Sequence, residues 1–189
     1  MSTRKKIVIG ITGSIAAFKI AVLHKYLRDH LDVTIAMTPA ATQFVGPATF
    51  QALTRNPVIT SLFESPNSKP THIDLADELE LLLIAPATAN ILAKAAHGIA
   101  DEPVSTLLMS CLPSEKPIVF APAMNTRMWQ NPATVENVKI LKARGYHFIE
   151  PEAGELACGW EGDGRLAEPQ VLATEVLRLV GLDDTTSMG

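Results

Sequence analysis

Lys6-Ile7-Val8-Ile9-Gly10-Ile11-Thr12, followed at once by Gly13-Ser14, is the stretch that decides the fold. A short β-branched run without polar alternation fits a strand buried on both faces, as in a parallel sheet. Gly13-Ser14 breaks the run. Residues 15–29 then show helical periodicity through Ile15, Phe18, Val22, Leu23 and Leu27. Residues 32–37 supply a second strand, ended by Thr38-Pro39.

The same alternation continues along the chain. Short helices are predicted over 40–45 and 47–55. The Pro/Asn/Ser-rich stretch 56–71 reads as an exposed loop. Strands are predicted at 81–85, 117–121 and 146–149, and helices at 88–97, 102–110, 131–144 and 168–180. Gly145 closes the third of these helices, and a glycine-rich flap, 152–165, precedes the last. Strands alternating with helices imply an α/β fold: one Rossmann-like, doubly wound domain with a central parallel sheet, over residues 1–180. Residues 181–189 are polar and read as a frayed, disordered tail. There is no internal repeat and no linker.

Composition narrows the function. At 189 residues, 47% of them apolar, one domain can bury a sizeable core. A net charge of −4 without a basic cluster argues against nucleic acid as a partner. No run reaches the roughly 18 apolar residues of a membrane span. Thr12-Gly13-Ser14 interrupts the first apolar run too early for a signal peptide, so a cytoplasmic protein is expected. Cys111 and Cys158 give no disulfide framework, and the five histidines show no zinc spacing, so no metal is expected.

Ligands of doubly wound folds bind at the carboxyl ends of strands, near a topological switch point. Four segments stand there: Thr12-Gly13-Ser14, Thr38, Pro86 onward and Pro122 onward. Gly10 to Ser14 form either a phosphate or flavin contact at a helix N-terminus or a plain tight turn. Thr88, in Pro86-Ala87-Thr88-Ala89-Asn90, is either a helix N-cap or part of a small-residue surface for a flat ring. Ser105 and Thr106 follow Asp101-Glu102; they either cap and pack a helix or face a phosphate. His72 is a candidate general base, because its pKa range lies near operating pH. His24, His30, His97 and His147 read as ordinary residues; His24 and His30 sit on a helix face.

Pro122-Ala123-Met124-Asn125-Thr126-Arg127-Met128-Trp129 packs an amide, two thioethers and an indole into eight residues. Asn125 either holds a substrate carboxylate or caps a helix over 126–129. Cys111, ending an apolar helix, reads as a buried small hydrophobe. Cys158 lies in Gly154-Glu155-Leu156-Ala157-Cys158-Gly159, a setting that suits an exposed, reactive thiol.

These residues resemble the homo-oligomeric flavin-containing cysteine decarboxylase family, with its flavoprotein (flavodoxin-like) fold, over about residues 6–180. Pro122 to Trp129 reproduces the family's Pro-x-Met-Asn-x-x-Met-Trp motif. Pro86 to Asn90 is similar to its Pro-Ala-Ser-Ala-Asn-Thr motif, with Thr88 for Ser and Ile91 for the closing Thr. Ile11 to Ala17 resembles its flavin-binding start, His72-Ile73 its active-site histidine segment, and Gly154 to Arg165 its cysteine-bearing flap.

The resemblance implies bound FMN, contacted by Gly13, Ser14, Ile15, Thr38, Phe44, Pro86, Ala87, Thr88, Ser105 and Thr106. It implies His72, Asn125 and Cys158 as catalytic residues, and Asn125, Met128, Trp129, Ala157, Gly159 and Arg165 as the substrate's contacts. It implies a homo-oligomer, either a homotrimer or a dodecamer built of trimers. The retained Ala157-Cys158-Gly159 favours the branch that decarboxylates 4′-phosphopantothenoylcysteine to 4′-phosphopantetheine, a coenzyme A precursor. The alternative is a peptidyl-cysteine decarboxylase that stops at an ene-thiol. Two departures stand out: Glu78-Leu79-Glu80 where the family often has Trp-Ala-Asp, and no basic residue between His72 and Pro86 to meet a substrate phosphate. Arg165, Lys69 or a neighbouring subunit are the candidates for that charge. The sequence reaches Gly189 without a ligase region, so either a separate phosphopantothenoylcysteine ligase in the pathway or a chain cut from a ligase fusion is expected.

Overall fold

A computed structural model of the chain describes residues 4–62, 71–155 and 161–182. The order of elements is β1 (Lys5–Ile11), α1 (Lys19–Leu27), β2 (Leu31–Met37), α2 (Pro47–Thr54), β3 (Val58–Ile59), α3 (Thr71–Glu78), β4 (Leu81–Ala87), α4 (Ala89–His97), α5 (Pro103–Ser110), β5 (Ile118–Pro122), α6 (Thr126–Trp129), α7 (Pro132–Ala143), β6 (His147–Phe148), β7 (Glu152–Glu155), β8 (Glu161–Arg165) and α8 (Pro169–Leu179). The first six strands form one parallel sheet in the order β3-β2-β1-β4-β5-β6. This is the Rossmann order, in which the chain runs outward from the centre twice. β7 and β8 form a separate antiparallel hairpin.

The central strands are buried on both sides, as their unbroken apolar runs require. Ile7, Ile9 and Ile11 of β1, with Leu81, Leu83 and Ala85 of β4, face a core completed by Leu23 of α1, Phe50 of α2 and Leu172 of α8. Val8, Leu82 and Ile84 face the opposite core, against Ala76 of α3, Leu92 of α4, Val104 of α5 and Leu141 of α7. Gly10 lies on this second face. A Cβ there would come within 2.7 Å of Ile84 Cδ1 and 2.8 Å of Val104 Cγ1, so the glycine lets α5 lie close over β1.

Three sequence expectations change. The stretch 56–71 holds the edge strand β3, and its last residue begins α3; residues 63–70 lie outside the described residues. The 15–29 periodicity mixed two faces of α1, with Leu23 and Leu27 buried as expected and Ile15, Phe18 and Val22 not. Ile20, Leu23, His24 and Leu27 are buried, whereas Ile15, Phe18 and Val22 are 54%, 54% and 43% exposed, and Ile15–Phe18 is a 3-10 turn. His24 is therefore not an ordinary face residue. Cys111 is buried as expected, and burial pushes its thiol up to about 11. Of the predicted 181–189 tail, residues 183–189 lie outside the described residues. No helix among the described residues is long and apolar enough to cross a membrane.

Burial, with the Arg28 charge second, holds the His24 imidazole below its ordinary 6.5. The unfolded chain then binds the extra proton first, so stability rises with pH across this window. Stability carried by neutral His24 is fully present above 6.5 and is lost as pH falls from there toward the lowered folded value. The thermal midpoint should drop between pH 7.5 and 5, and His24→Leu should flatten that part of the profile. The lowered carboxyls of Glu152 and Glu175 act only in a more acid window, below their ordinary 4.5.

Candidate ligand site at the switch point

The sheet's winding reverses between β1 and β4, and their carboxyl ends meet there. Thr12, which follows β1, is 2% exposed. Its hydroxyl donates to the Pro86 carbonyl at 2.6 Å and accepts from the Thr88 backbone N–H at 3.1 Å. Ala123 N–H in turn donates to the Ala87 carbonyl at 3.0 Å, which joins the end of β5 to this corner. On the other side, Thr38 N–H donates to Ile11 O at 3.0 Å, and the Thr38 hydroxyl accepts from Ala41 N–H at 3.2 Å.

Gly13 lies against this second turn. A Cβ on it would come within 2.6 Å of Ala40 Cβ. Ser14 caps the following 3-10 turn, its hydroxyl oxygen accepting from Ala16 N–H at 3.3 Å. That contact leaves the hydroxyl proton to a ligand acceptor. Thr88 stands at the N-cap position of α4, yet its side chain makes no capping bond and lies 3.3 Å from Thr12 Oγ1. Capping is thus not what the Thr88 hydroxyl does.

The gap between these turns is a cleft of about 520 Å³, within the range of small-molecule sites. Thr12, Gly13, Thr38 and Ala40 line one part of it; Thr88, Asn90 and Met128 also line it, as do Lys94, Asp101 and Glu102. Small residues and uncapped N–H groups at the start of α4 suit a flat ring bearing polar edges, and the Gly13-Ser14 turn suits an anion. The donor set therefore fits a phosphorylated flavin.

Lys94, Asp101 and Glu102 were not expected in the cleft. Lys94 follows Asn90 by four residues on α4, so helical spacing alone could have found it. Lys94 Nζ and Asp101 Oδ1 are 2.5 Å apart, and this hydrogen bond holds the Asp101 carboxyl below its ordinary range.

The remaining expected contacts divide. Pro86 offers its carbonyl to Thr12, and Ala87 is fully buried. Ile15 and Phe44 are exposed, at 54% and 47%, in the turns on either side of Gly13 and Ala40. Ser105 lies elsewhere than on the cleft surface. It is 1% exposed, and its hydroxyl binds the Asp101 and Glu102 N–H groups, each at 3.2 Å. Glu102 answers by accepting from Val104 and Ser105 N–H at 2.9 and 2.8 Å, a capping box that starts α5. Thr106 Oγ1 is buried with no hydrogen-bond partner.

The two segments singled out near the C-terminal half are brought together. Met124 N–H donates to the Gly164 carbonyl at 2.9 Å. Gly164 has φ +130, and a Cβ on it would overlap the Met124 carbonyl oxygen; one on Gly162 would overlap Thr126 Oγ1. Glycine is needed at both points because β8 lies directly on this segment, Gly164 against the Met124 backbone and Gly162 against the Thr126 side chain. Asn125 caps α6, its Oδ1 accepting from Arg127 N–H at 2.8 Å. Met128 is half exposed, and Trp129 packs on the second core.

Arg165 is held in ion pairs. Its guanidinium pairs with Glu152 at 2.9 Å and Glu168 at 3.1 Å, and it holds the Glu152 carboxyl low. Lys19 joins the same network through Glu168 at 3.3 Å. Ala157, Cys158, Gly159 and Lys69 lie outside the described residues; His72 is the second residue of α3.

Fold and cleft together define a Rossmann-like protein built to hold a small ligand at its switch point. The chain belongs to the Flavoprotein family, whose model matches residues 1–181. It is 43% identical, over 91% of its length and 97% of the relative's, to a probable phosphopantothenoylcysteine decarboxylase of Streptococcus mutans. It is 42% identical over 90% of its length to the coenzyme A biosynthesis bifunctional protein CoaBC of Bacillus subtilis, of which it spans 42%. Among solved structures it resembles a cysteine-to-serine mutant of PPC decarboxylase complexed with pantothenoylaminoethenethiol. There the TM-score is 0.84 at 28% identity, covering 92% of this chain and 97% of that one. It also resembles the FMN-dependent cysteine decarboxylase SpaF, with a TM-score of 0.79 at 30% identity, covering 93% and 97%.

If β8 is docked through its glycines, Gly164→Ala should destabilise the protein by roughly 1–3 kcal/mol and speed proteolysis within 152–165. Gly162→Ala should do likewise and be partly restored by Thr126→Ala, which removes the overlapping hydroxyl. Thermal melts with limited proteolysis check both; unchanged cleavage would contradict the docking.

Proposed function

We propose that this chain is a carboxy-lyase, an FMN-dependent decarboxylase of 4′-phosphopantothenoylcysteine that yields 4′-phosphopantetheine for coenzyme A synthesis. The observation that carries this reading is the union of three motifs at one corner of the sheet. The Thr12–Thr88 turn forms the cleft, Met128 of the Pro122–Trp129 segment reaches into it, and the cysteine-bearing hairpin docks on that segment through Met124 and Gly164. The relatives' names point to the same chemistry. Pantothenoylaminoethenethiol, held by a mutant relative, is an ene-thiol lacking the cysteine carboxylate.

A saturated cysteine carboxylate loses CO₂ poorly, because the carbanion left behind has no electron sink. FMN, when bound, would supply reversible two-electron redox chemistry at the thiol-bearing carbon, whose oxidation to the thioaldehyde level creates that sink with no net redox change. Gly13, Ser14, Thr38 and Thr88 would hold the flavin. Ile15, Phe44 and the Pro86-Ala87 turn would shape its surroundings. His72 acts as base in the thiol's oxidation. Asn125 holds the substrate carboxylate. Its Oδ1 is already fixed by Arg127 N–H, which sets the amide plane and hence the direction of its N–H donors. Met128 and Trp129 shape the pocket. Cys158, with Ala157 and Gly159 about it, then protonates the ene-thiolate carbon.

A homo-oligomer, trimer or dodecamer, belongs to the reading. Ile15, Phe18 and Val22, exposed along one stripe beside the cleft, support it. A phosphopantothenoylcysteine ligase is the partner activity that the pathway requires.

Purified protein should bind FMN and, without external oxidant, convert the substrate to a product lighter by CO₂ alone. A product lighter by CO₂ and two hydrogens, or turnover of a cysteine-ended peptide instead, would move the chain to the peptide-modifying branch. His72→Asn should keep FMN and lose CO₂ release. Cys158→Ser should decarboxylate but release a product two hydrogens short. Unchanged turnover in either variant, followed by mass spectrometry, would remove the role assigned to that residue.

A further inference from the structure

Thr12 is the least exposed polar group in the cleft wall, and its hydrogen bonds can be assigned a direction. A threonine hydroxyl has one proton and two lone pairs. The Pro86 carbonyl, 2.6 Å away, can only accept, so it takes the Thr12 proton. The Thr88 backbone N–H, 3.1 Å away, can only donate, so it uses a Thr12 lone pair. The third contact, 3.3 Å to Thr88 Oγ1, is then one-way: Thr12 has no proton left to give. For this contact to be a hydrogen bond Thr88 must give its own proton to Thr12, which leaves the Thr88 oxygen only an acceptor toward any other partner.

The second observation is at α4. Thr88 has extended dihedrals (φ −80, ψ 162) at the N-cap position but makes no side-chain cap. The first N–H groups of the helix are therefore not covered by the residue that usually covers them. Asn90 and Ile91, which carry two of these groups, line the cleft. Something other than capping must hold Thr88 in this pose, and the Thr12 hydroxyl is the group in contact with it.

We infer that Thr12 is a positioning residue for the flavin site. It fixes the Thr88 hydroxyl as an acceptor toward the cleft and keeps the start of α4 open to the ligand's own acceptors. The inference rests on the functional reading above, since it takes the ligand to be FMN. Thr12→Val keeps the shape of the side chain but has neither proton nor lone pair. It would leave the Pro86 carbonyl and the Thr88 N–H without their partner and free the Thr88 side chain to swing back and cap α4. Thr12→Ser keeps the hydroxyl.

The test is FMN titration of the ligand-free protein, followed by fluorescence and visible absorption, together with amide exchange over 86–92. Thr12→Val should weaken FMN binding about tenfold or more, shift the bound flavin's visible bands, and speed exchange of the Thr88 amide. Thr12→Ser should restore all three to near wild type. In a Thr88→Ala background, Thr12→Val should weaken binding by no more than about twofold. Wild-type binding and spectrum in a folded Thr12→Val protein would overturn the inference and leave the functional reading standing. The same holds if Thr12→Ser behaves like Thr12→Val. A wild-type protein that takes up no FMN would overturn both. Should Thr12→Val fail to fold, Thr12→Ala carries the same comparison.

Discussion

The hydrogen bonds between Thr12 and the Pro86–Thr88 turn are the point on which the architecture rests. β1 and β4 are paired only as far as Gly10 and Ile84. Beyond that they part, because one leads into α1 on the first face of the sheet and the other into α4 on the second. Divergence opens the cleft but leaves backbone polar groups at its base, where little water reaches them. An unpartnered carbonyl or N–H there would cost about 1–3 kcal/mol. One buried hydroxyl, at the end of β1, satisfies both of these groups at the end of β4, and so ties together the two halves of the sheet at the place where they separate.

Close backbone contact is the second constraint. Gly13 admits Ala40, Gly10 admits the Ile84 and Val104 side chains, Gly162 admits the Thr126 side chain, and Gly164 admits the Met124 carbonyl. At each of these points the glycine adds no side chain of its own to the contact. The hairpin has little core of its own, and two strands alone are marginal in water. Its stability comes from the Met124–Gly164 hydrogen bond and from the Lys19–Glu168–Arg165–Glu152 charge network, which ties it to α1 and α8. In that network Arg165, basic and next to a glycine, is paired with two carboxylates.

The interior of this fold was legible in the sequence; its surfaces were not. β1, β2, β4 and β5 announce themselves because a strand buried on both faces must be apolar throughout. β3 escapes because only Val58 and Ile59 pair, between a proline and a threonine. The first helix misled because it has more apolar positions than its buried face needs. Ile15, Phe18 and Val22 satisfy a 3.6-residue repeat as well as Ile20, Leu23 and Leu27 do, and only the strands beneath decide between them. In the site, motif and position located the turns correctly, but a hydroxyl's partner depends on contacts far apart in sequence. Ser105 turned inward to a capping box, and Thr88 turned away from one, though both stand at the start of a helix.

The charge of the cleft follows from the same local rules. Lys94, Asp101 and Glu102 sum to a formal −1, which at first sight opposes a phosphorylated cofactor and a phosphorylated, carboxylate-bearing substrate. Neither carboxylate acts as an open charge, however. Glu102 sits at the N-terminus of α5 with both oxygens on backbone N–H groups, where the helix dipole favours an anion. Asp101 is paired with Lys94. The surface left toward the Gly13–Ser14 turn is uncharged, made of glycine, threonine, serine and backbone N–H. Such a surface recognises an anion through oriented dipoles rather than net charge, as helix N-termini do. The mildly acidic chain can in this way accept anionic ligands without the basic patch that the sequence lacks.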